Sequence, residues 1–306
     1  MFDRLGRSDG RPTDPPLRAP SLRHRYRRHP AGRLSVPARA RLLGRAPSGT
    51  EADSRAHRPV ALVTGASSGI GAAVAEELAA DGSWRLLLNG RDGGRLEQVA
   101  TRTGGVPLAA DLADARAVPH AAGRGGPGAQ RQGGRAGGGC GHRLGGGSFA
   151  AMPPEDIDEV LALNLNATLH LVRLLLPGMV DRRCGQVVLI GSMAGSVGVR
   201  GEAVYSATKA GLAAFADSLR YELAPSGVGV SMVLPGVVDT PFFQRRGAPY
   251  RRDRPRPVPA TRVAEAVCRA LRTGRPNAYV PSWMAMPAWL HGTAPGVFRS
   301  LAQRFG

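Results

Sequence analysis

From Pro59 onward, short runs that are apolar throughout alternate with segments in which apolar residues recur every three to four positions. VALVTG (60–65) reads as a buried strand, ASSGIG (66–71) as a glycine-rich turn, and AAVAEELAADG (72–82) as a helix stopped by Gly82. The same rhythm predicts a strand over 84–91 (WRLLLNGR), a helix over 92–104 and a strand over 106–112 (VPLAADL). It resumes with a long helix over 154–179, a strand over 185–192 (GQVVLIGS), a helix over 203–225 and a strand over 228–236 (VGVSMVLPG). A helix over 261–274 and a short strand over 277–281 (NAYVP) follow. Strands without polar alternation are covered on both faces, and strand–helix alternation makes them parallel. The expected fold is therefore α/β, a doubly wound parallel sheet in one domain spanning 59–306.

Two stretches break the pattern. Residues 1–58 mix Arg, Pro, Gly and Ala with no helix or strand period, and too little apolar surface is present to offset ordering entropy. They are expected to be a disordered tail, or upstream sequence translated from a misassigned start. Residues 115–147 (ARAVPHAAGRGGPGAQRQGGRAGGGCGHRLGGG) are rich in glycine and arginine and poor in β-branched residues, which argues against any strand there.

Charge follows these boundaries. The formal net charge is +18, but 1–58 holds fourteen Arg against five acids and 115–147 holds five Arg and no acid. The remaining 215 residues carry only +4. The basicity thus does not belong to the patterned part, and a nucleic-acid partner is not expected; an arginine-driven binder would keep its salt dependence in residues 1–58. Cys140, Cys184 and Cys268 are far apart, with no C-x-x-C pair and no histidine at zinc-ligand spacing, so neither a disulfide framework nor a metal site is expected. No uninterrupted run of eighteen apolar residues occurs and no apolar segment follows the charged N-terminus, which predicts a cytoplasmic protein without integral membrane association.

The candidate chemistry lies at the strand ends. In TGASSGIG, Thr64 to Gly71, the glycines at 65, 69 and 71 allow a tight turn, and amides at the following helix N-terminus offer a pyrophosphate site. Tyr205 and Lys209 in YSATK lie four apart, on one helix face. An ammonium beside a phenol favours the phenolate and prepares the hydroxyl for proton transfer. Ser192 ends the strand before that helix, where ligands of parallel sheets bind. Asn164 sits inside the otherwise apolar ALNLNATL, and LPGVVDT (234–240) follows the last core strand.

These motifs, in this order, resemble the short-chain dehydrogenase/reductase family over about residues 59–300, apart from the broken stretch. The resemblance implies an NAD(P)-dependent oxidoreductase that interconverts a small-molecule carbonyl and alcohol by hydride transfer. It implies that Tyr205 exchanges the proton, Lys209 lowers the Tyr205 pKa and binds the nicotinamide ribose, Ser192 bonds the substrate oxygen, and Asn164 holds a relay water. Cofactor contacts would come from Thr64, Gly65, Ser67, Ser68, Gly69, Ile70 and Gly71, from Asp111 and Leu112 near the adenine, and from Pro235, Gly236, Val238 and Thr240 at the nicotinamide end. At the end of the second strand Asn89, Gly90 and Arg91 stand where an acid would receive a ribose 2′-hydroxyl, and Arg91 suits a 2′-phosphate, favouring NADP(H) over NAD(H). A homodimer or homotetramer built through the long helices is also implied.

The resemblance calls for a hydrophobic central strand ending in N-N-A-G where the glycine-rich stretch stands. Permitted codons for Gly133 to Leu144, started at the second base of the Gly133 codon, translate as ADVLVAGAGIG, a strand and a turn. In that frame Cys140 can give only Val or Ala, and His142 only Ile or Thr. Two compensating frameshifts are therefore expected to bound the segment. The alternative for the segment is a natural low-complexity insert, and the alternative for the function is a non-catalytic or misfolded relic lacking the central strand and the N-N-A-G turn.

Two further features stand apart. PFFQRRGAPYRRDRPRP (241–257) has six Arg against one acid, which suits either a solvated surface or an anionic substrate. PSWMAMPAWLHGTAPGVFRSLAQRF (281–305) is apolar with aromatics and is expected to pack at a subunit or domain edge, with a membrane-surface element as its alternative.

Overall fold

The computed structural model describes residues 58–112, 114, 147–242 and 255–305. The readings made for residues 1–57 and 115–146, the tail and the out-of-frame segment, lie outside the described residues. Five strands match the expected order: β1 Val60–Val63, β2 Arg85–Gly90, β3 Val106–Ala109, β4 Gly185–Ile190 and β5 Val228–Pro235. They alternate with helices α1 Gly69–Asp81, α2 Gly93–Thr103, α3 Pro154–Leu161, α4 Ala167–Asp181, α5 Met193–Val197 and α6 Ala203–Leu223. The two-residue strands β6 Val238–Asp239 and β7 Val258–Pro259 precede α7 Ala260–Thr273 and β8 Asn277–Val280. Helices α8 Ala285–Thr293 and α9 Pro295–Phe305 close the chain.

All pairings are parallel, and Val63 is opposite Leu88, Ile190 opposite Val233, and Val233 opposite Ala278. Strands β5's neighbouring residues face opposite layers: Val233 enters a core with α1, α2 and α7, while Met232 and Leu234 enter a second core with α4 and α6. That alternation is the double winding the apolar runs predict. Arg220 ties the second layer to the sheet, its Nε donating to the Val230 carbonyl at 2.9 Å and its Nη2 to the Pro276 carbonyl at 2.6 Å.

The described strands fall into two groups, one on each side of residues 115–146 in the sequence. Among the described residues, β1, β2 and β3 form one three-stranded sheet, and β4, β5 and β8 form another. The inner edges are those of β1 and β4, and Val60 on β1 is 50% exposed. The first core nevertheless runs beneath both parts, with Val63 and Leu88 from one, Val233 from the other, and Val263, Ala264 and Val267 of α7 between them.

Residues Pro154–Asp181 form one continuous helix containing an eighteen-residue window of mean hydropathy 1.4, long and apolar enough by length and composition alone to cross a membrane. The sequence reading, which sought uninterrupted apolar runs, does not register it, because Asn164, Asn166, His170 and Arg173 punctuate the segment. Ala167, Leu171 and Val172 of α4 are buried, and Val172 packs in the second core.

Candidate active site

The turn after β1 is built from close backbone approach. Gly65 and Gly69 take φ of +64° and +57°, the left-handed region where a Cβ is strained. A Cβ on Gly71 would lie 2.6 Å from the Gly65 carbonyl carbon and 2.9 Å from the Thr64 oxygen, so only glycine lets the strand end meet the helix start. Helix α1 begins at Gly69, which places Gly69, Ile70 and Gly71 in its first turn. Their amides have no intrahelical acceptor and carry the positive end of the helix dipole. This cradle fits a pyrophosphate.

Neighbouring segments converge on the cradle. Ser67 packs on Gly90 at the end of β2, so a Cβ on Gly90 would meet the Ser67 Cβ at 3.0 Å. Thr240 reaches back to Gly69, within 3.3 Å of where a Cβ would stand. Pro235 is buried and the Gly236 amide donates to the Val280 carbonyl at 2.9 Å. Val238 is 7% exposed and paired with Val258, and its side chain joins the first core. Asp111 is exposed and Leu112 half-buried, just beyond β3.

At the end of β2 the structure separates two polar residues that the sequence sets side by side. Asn89 is 1% exposed, and its Nδ2 donates to the carbonyls of Leu108 and Ala110 at 3.0 and 3.2 Å, so it ties β2 to β3. Arg91 is exposed and makes no hydrogen bond or ion pair among the described residues. The next acid, Asp92, caps α2 by accepting from the Arg95 amide at 3.0 Å and from Arg95 Nε at 2.6 Å.

The catalytic candidates come from three elements around α6. Ser192 caps α5, with Oγ accepting from the Ala194 amide at 3.1 Å. Helix α5 lies directly on α6: a Cβ on Gly195 would sit 2.6 Å from the Lys209 carbonyl carbon and 2.8 Å from the Ala210 nitrogen. Asn164 lies in a π-helical turn, Ala162–Asn166, between α3 and α4. Such a turn offsets the side chains that follow it and recurs at functional sites. Leu165 of that turn packs beside Gly211 on α6.

On α6, Lys209 Nζ stands 5.6 Å from the centroid of the Tyr205 ring and donates to the Ile190 carbonyl at 3.0 Å. Burial lowers the Lys209 pKa to about 8, since desolvation penalises the ammonium. It is the only lysine in the chain. Thr208, fully buried, donates to the Tyr205 carbonyl at 2.7 Å, and the Tyr205 ring meets that of Phe242 at 5.7 Å between centroids.

The sequence-selected residues thus fall into two groups, candidate cofactor contacts at the ends of β1, β2, β3 and β5 and the catalytic candidates on α5, α6 and the π turn. Sequence reasoning missed Gly195, whose close approach to the Lys209 backbone seats α5, the helix Ser192 caps, on α6, and the Ile190 carbonyl that holds the ammonium. The only sequence trace of the former is a glycine three residues after the serine in GSMAG. Phe242 was passed over inside the arginine-rich stretch.

A family model for short chain dehydrogenases matches residues 59–251. An uncharacterized short-chain type dehydrogenase/reductase of Sinorhizobium fredii is 35% identical over 185 residues, covering 60% of this chain and 72% of that protein. A 3-oxoacyl-[acyl-carrier-protein] reductase of Salmonella typhimurium is 29% identical over 209 residues, covering 68% of this chain and 84% of its own. Among solved structures, a short-chain dehydrogenase from Sphingobium yanoikuyae in complex with NADPH superposes with a TM-score of 0.64 at 28% identity, covering 78% of this chain and 95% of its own.

Proposed function

The chain belongs to the short-chain dehydrogenase/reductase family, an NAD(P)-dependent oxidoreductase with a Rossmann-like fold, and from that premise we propose that Tyr205, Lys209, Ser192 and Asn164 interconvert a carbonyl and an alcohol. The observation that carries the reading is the held cation: the one lysine of the chain is fixed by Ile190 and faces the Tyr205 ring.

When bound, the nicotinamide supplies or accepts the hydride; the chain supplies position and protons. In the reducing direction the Tyr205 hydroxyl gives its proton to the substrate oxygen, and the phenolate left behind is stabilised by the Lys209 ammonium. Ser192 Oγ already accepts from Ala194, which leaves its O–H to donate to the same substrate oxygen. Lys209 spends one N–H on Ile190, and two remain for the ribose and for returning a proton to Tyr205. Asn164, in the π turn against α6, would hold the water that feeds this relay.

The phosphates would lie on the α1 cradle of Ser68, Gly69, Ile70 and Gly71, with Thr64, Gly65, Ser67 and Thr240 around it, Asp111 and Leu112 on the adenine side and Pro235, Gly236 and Val238 at the nicotinamide. NADP(H) is the favoured cofactor, because Arg91 is exposed and unpaired among the described residues while Asp92 is occupied in capping α2. The long helices, with Leu174 at 43%, Val180 at 36% and Tyr221 at 81% exposure, suit a homodimer or homotetramer.

Replacing Tyr205 with Phe tests the assignment. General acid catalysis contributes ~10²- to 10⁴-fold, so NADPH consumption with a panel of ketones should fall by that range while NADPH still raises the melting temperature. Undiminished turnover would remove Tyr205 from the mechanism. The glycine- and arginine-rich composition of 115–147 favours one second reading, a chain that keeps these residues without turning over; no melting transition and no shift with NADPH would support it.

A further inference from the structure

The last two helices and the turn before them leave several large apolar residues exposed. Trp283 is 54% exposed, Met286 and Trp289 each 67%, Val297 56% and Leu301 46%. Met286 and Trp289 are three apart on α8, and Val297 and Leu301 four apart on α9, so each pair shares one helix face. The hairpin is nonetheless anchored. His291 meets Phe298 edge to face at 5.1 Å, joining the helices, and Met284, 7% exposed, fills the space against Gly236.

Charge identifies what covers this face. Residues 274–306 contain Arg275, Arg299 and Arg304 and no acid. Residues 241–306 hold twelve Arg against two acids, whereas 59–114 and 148–240 together hold ten basic residues against sixteen acids. The positive charge of the patterned region is therefore concentrated in the part of the chain that bears the exposed tryptophans. Arg256 lines the same cleft as Trp283, together with Pro255, Val258 and Pro281. Beside the exposed tryptophans the described residues place Arg256, Arg275, Arg299 and Arg304 and, over 274–305, no acid, so two copies of this face bring like charges together. A negatively charged bilayer offers both an apolar interior and neutralising headgroups, and tryptophan favours that boundary.

We infer that the α8–α9 hairpin docks on an anionic lipid surface, with Trp283, Met286 and Trp289 in the headgroup boundary and Arg256, Arg299 and Arg304 among the lipid phosphates. Because α8 packs against α5, the helix that Ser192 caps, docking would set the catalytic side of the molecule near the membrane. The inference does not depend on the carbonyl chemistry.

The test uses the full chain and vesicles of phosphatidylglycerol and phosphatidylcholine carrying brominated acyl chains, which quench only tryptophans that enter the bilayer. The chain has three tryptophans, and Trp84 is held by Asp81 at 3.2 Å with the first core, so quenching reports Trp283 and Trp289. Expected results are quenching on mixed vesicles, its loss on pure phosphatidylcholine or in 1 M salt, and at least a tenfold weaker vesicle affinity for the chain carrying W283S, M286S and W289S. Sedimentation with vesicles but no quenching would mean that residues 1–58 bind instead, and would overturn the proposal. So would a lipid-free dimer in analytical ultracentrifugation that the same triple substitution dissociates. NADPH-induced thermal stabilisation of the triple variant equal to that of the parent would show that the substitutions act on docking alone, and a variant lacking it would be replaced by R299E with R304E, for which the same loss of quenching is expected.

Discussion

The Lys209 ammonium donates to the Ile190 carbonyl at 3.0 Å, so the last residue of β4 fixes the cation that faces Tyr205 on α6. A side chain four bonds long would otherwise sample many rotamers. Here one strand-end carbonyl selects the rotamer that serves the phenol.

Burial of that cation has a measurable pH signature. Lys209 titrates at about 8 in the folded chain against 10.5 when solvated. Below about 8 both states hold the proton; between 8 and 10.5 only the unfolded chain does, so stability rises with pH by up to about 3 kcal/mol across that window. Melting curves of the parent and of Lys209→Met should diverge in the parent's favour as pH climbs from 7.5 to 10. Parallel curves would show that the lysine is solvated.

Gly195 is expected to be intolerant of a single methyl. Ala at this position would press on the Lys209 backbone from 2.6 Å, and overpacking of this kind costs ~1–3 kcal/mol. Because the strain acts between the helix of Ser192 and the helix of Tyr205, Gly195→Ala should lower kcat more than it raises KM for NADPH. Steady-state kinetics beside a thermal melt would check this; a loss confined to stability would make Gly195 a packing residue only.

Arg91→Asp should reverse the cofactor preference. A charge-assisted bond is worth ~1.5–3 kcal/mol, which corresponds to a KM for NADPH raised about 10- to 100-fold, with KM for NADH unchanged or lower. Equal affinities for both cofactors in the parent would mean that Arg91 is solvated surface.

The glycine- and arginine-rich composition of 115–147 leads to a prediction about the gene. A chain in which residues 115–146 are translated from the restored frame should gain several degrees in melting temperature and a larger stabilisation by NADPH, since the inner edges of β1 and β4 would each gain a partner. Nucleotide sequencing across this segment, with mass spectrometry of the native protein, decides the point: a peptide containing RAGGGCGH from the native source would end it.

Much of this was legible in one dimension. Apolar runs, glycine stops and the 3.6 period depend on neighbours a few residues apart, so β1, β2, β4, β5, α1, α6 and α7 fall within a few residues of their expected positions. The motif residues could be picked out because Gly71, Ser192, Tyr205 and Lys209 hold positions relative to strand ends and helix faces that local spacing encodes. The strand after the second helix, expected to reach 112, ends at Ala109 instead, because β2 offers no partner beyond Gly90.

What the chain alone determined was therefore the order and type of its described elements and the glycines its turns require. Which groups meet was decided only in three dimensions: that Asn89 turns inward to two carbonyls while Arg91 stays outside, that Gly195 lies on Lys209, that Ile190 holds the ammonium, and that the C-terminal tryptophans face outward rather than into a core. Each of these contacts joins residues brought together by the packing of whole helices and strands. Their geometry follows from how the layers close on one another, which no local run of side chains records.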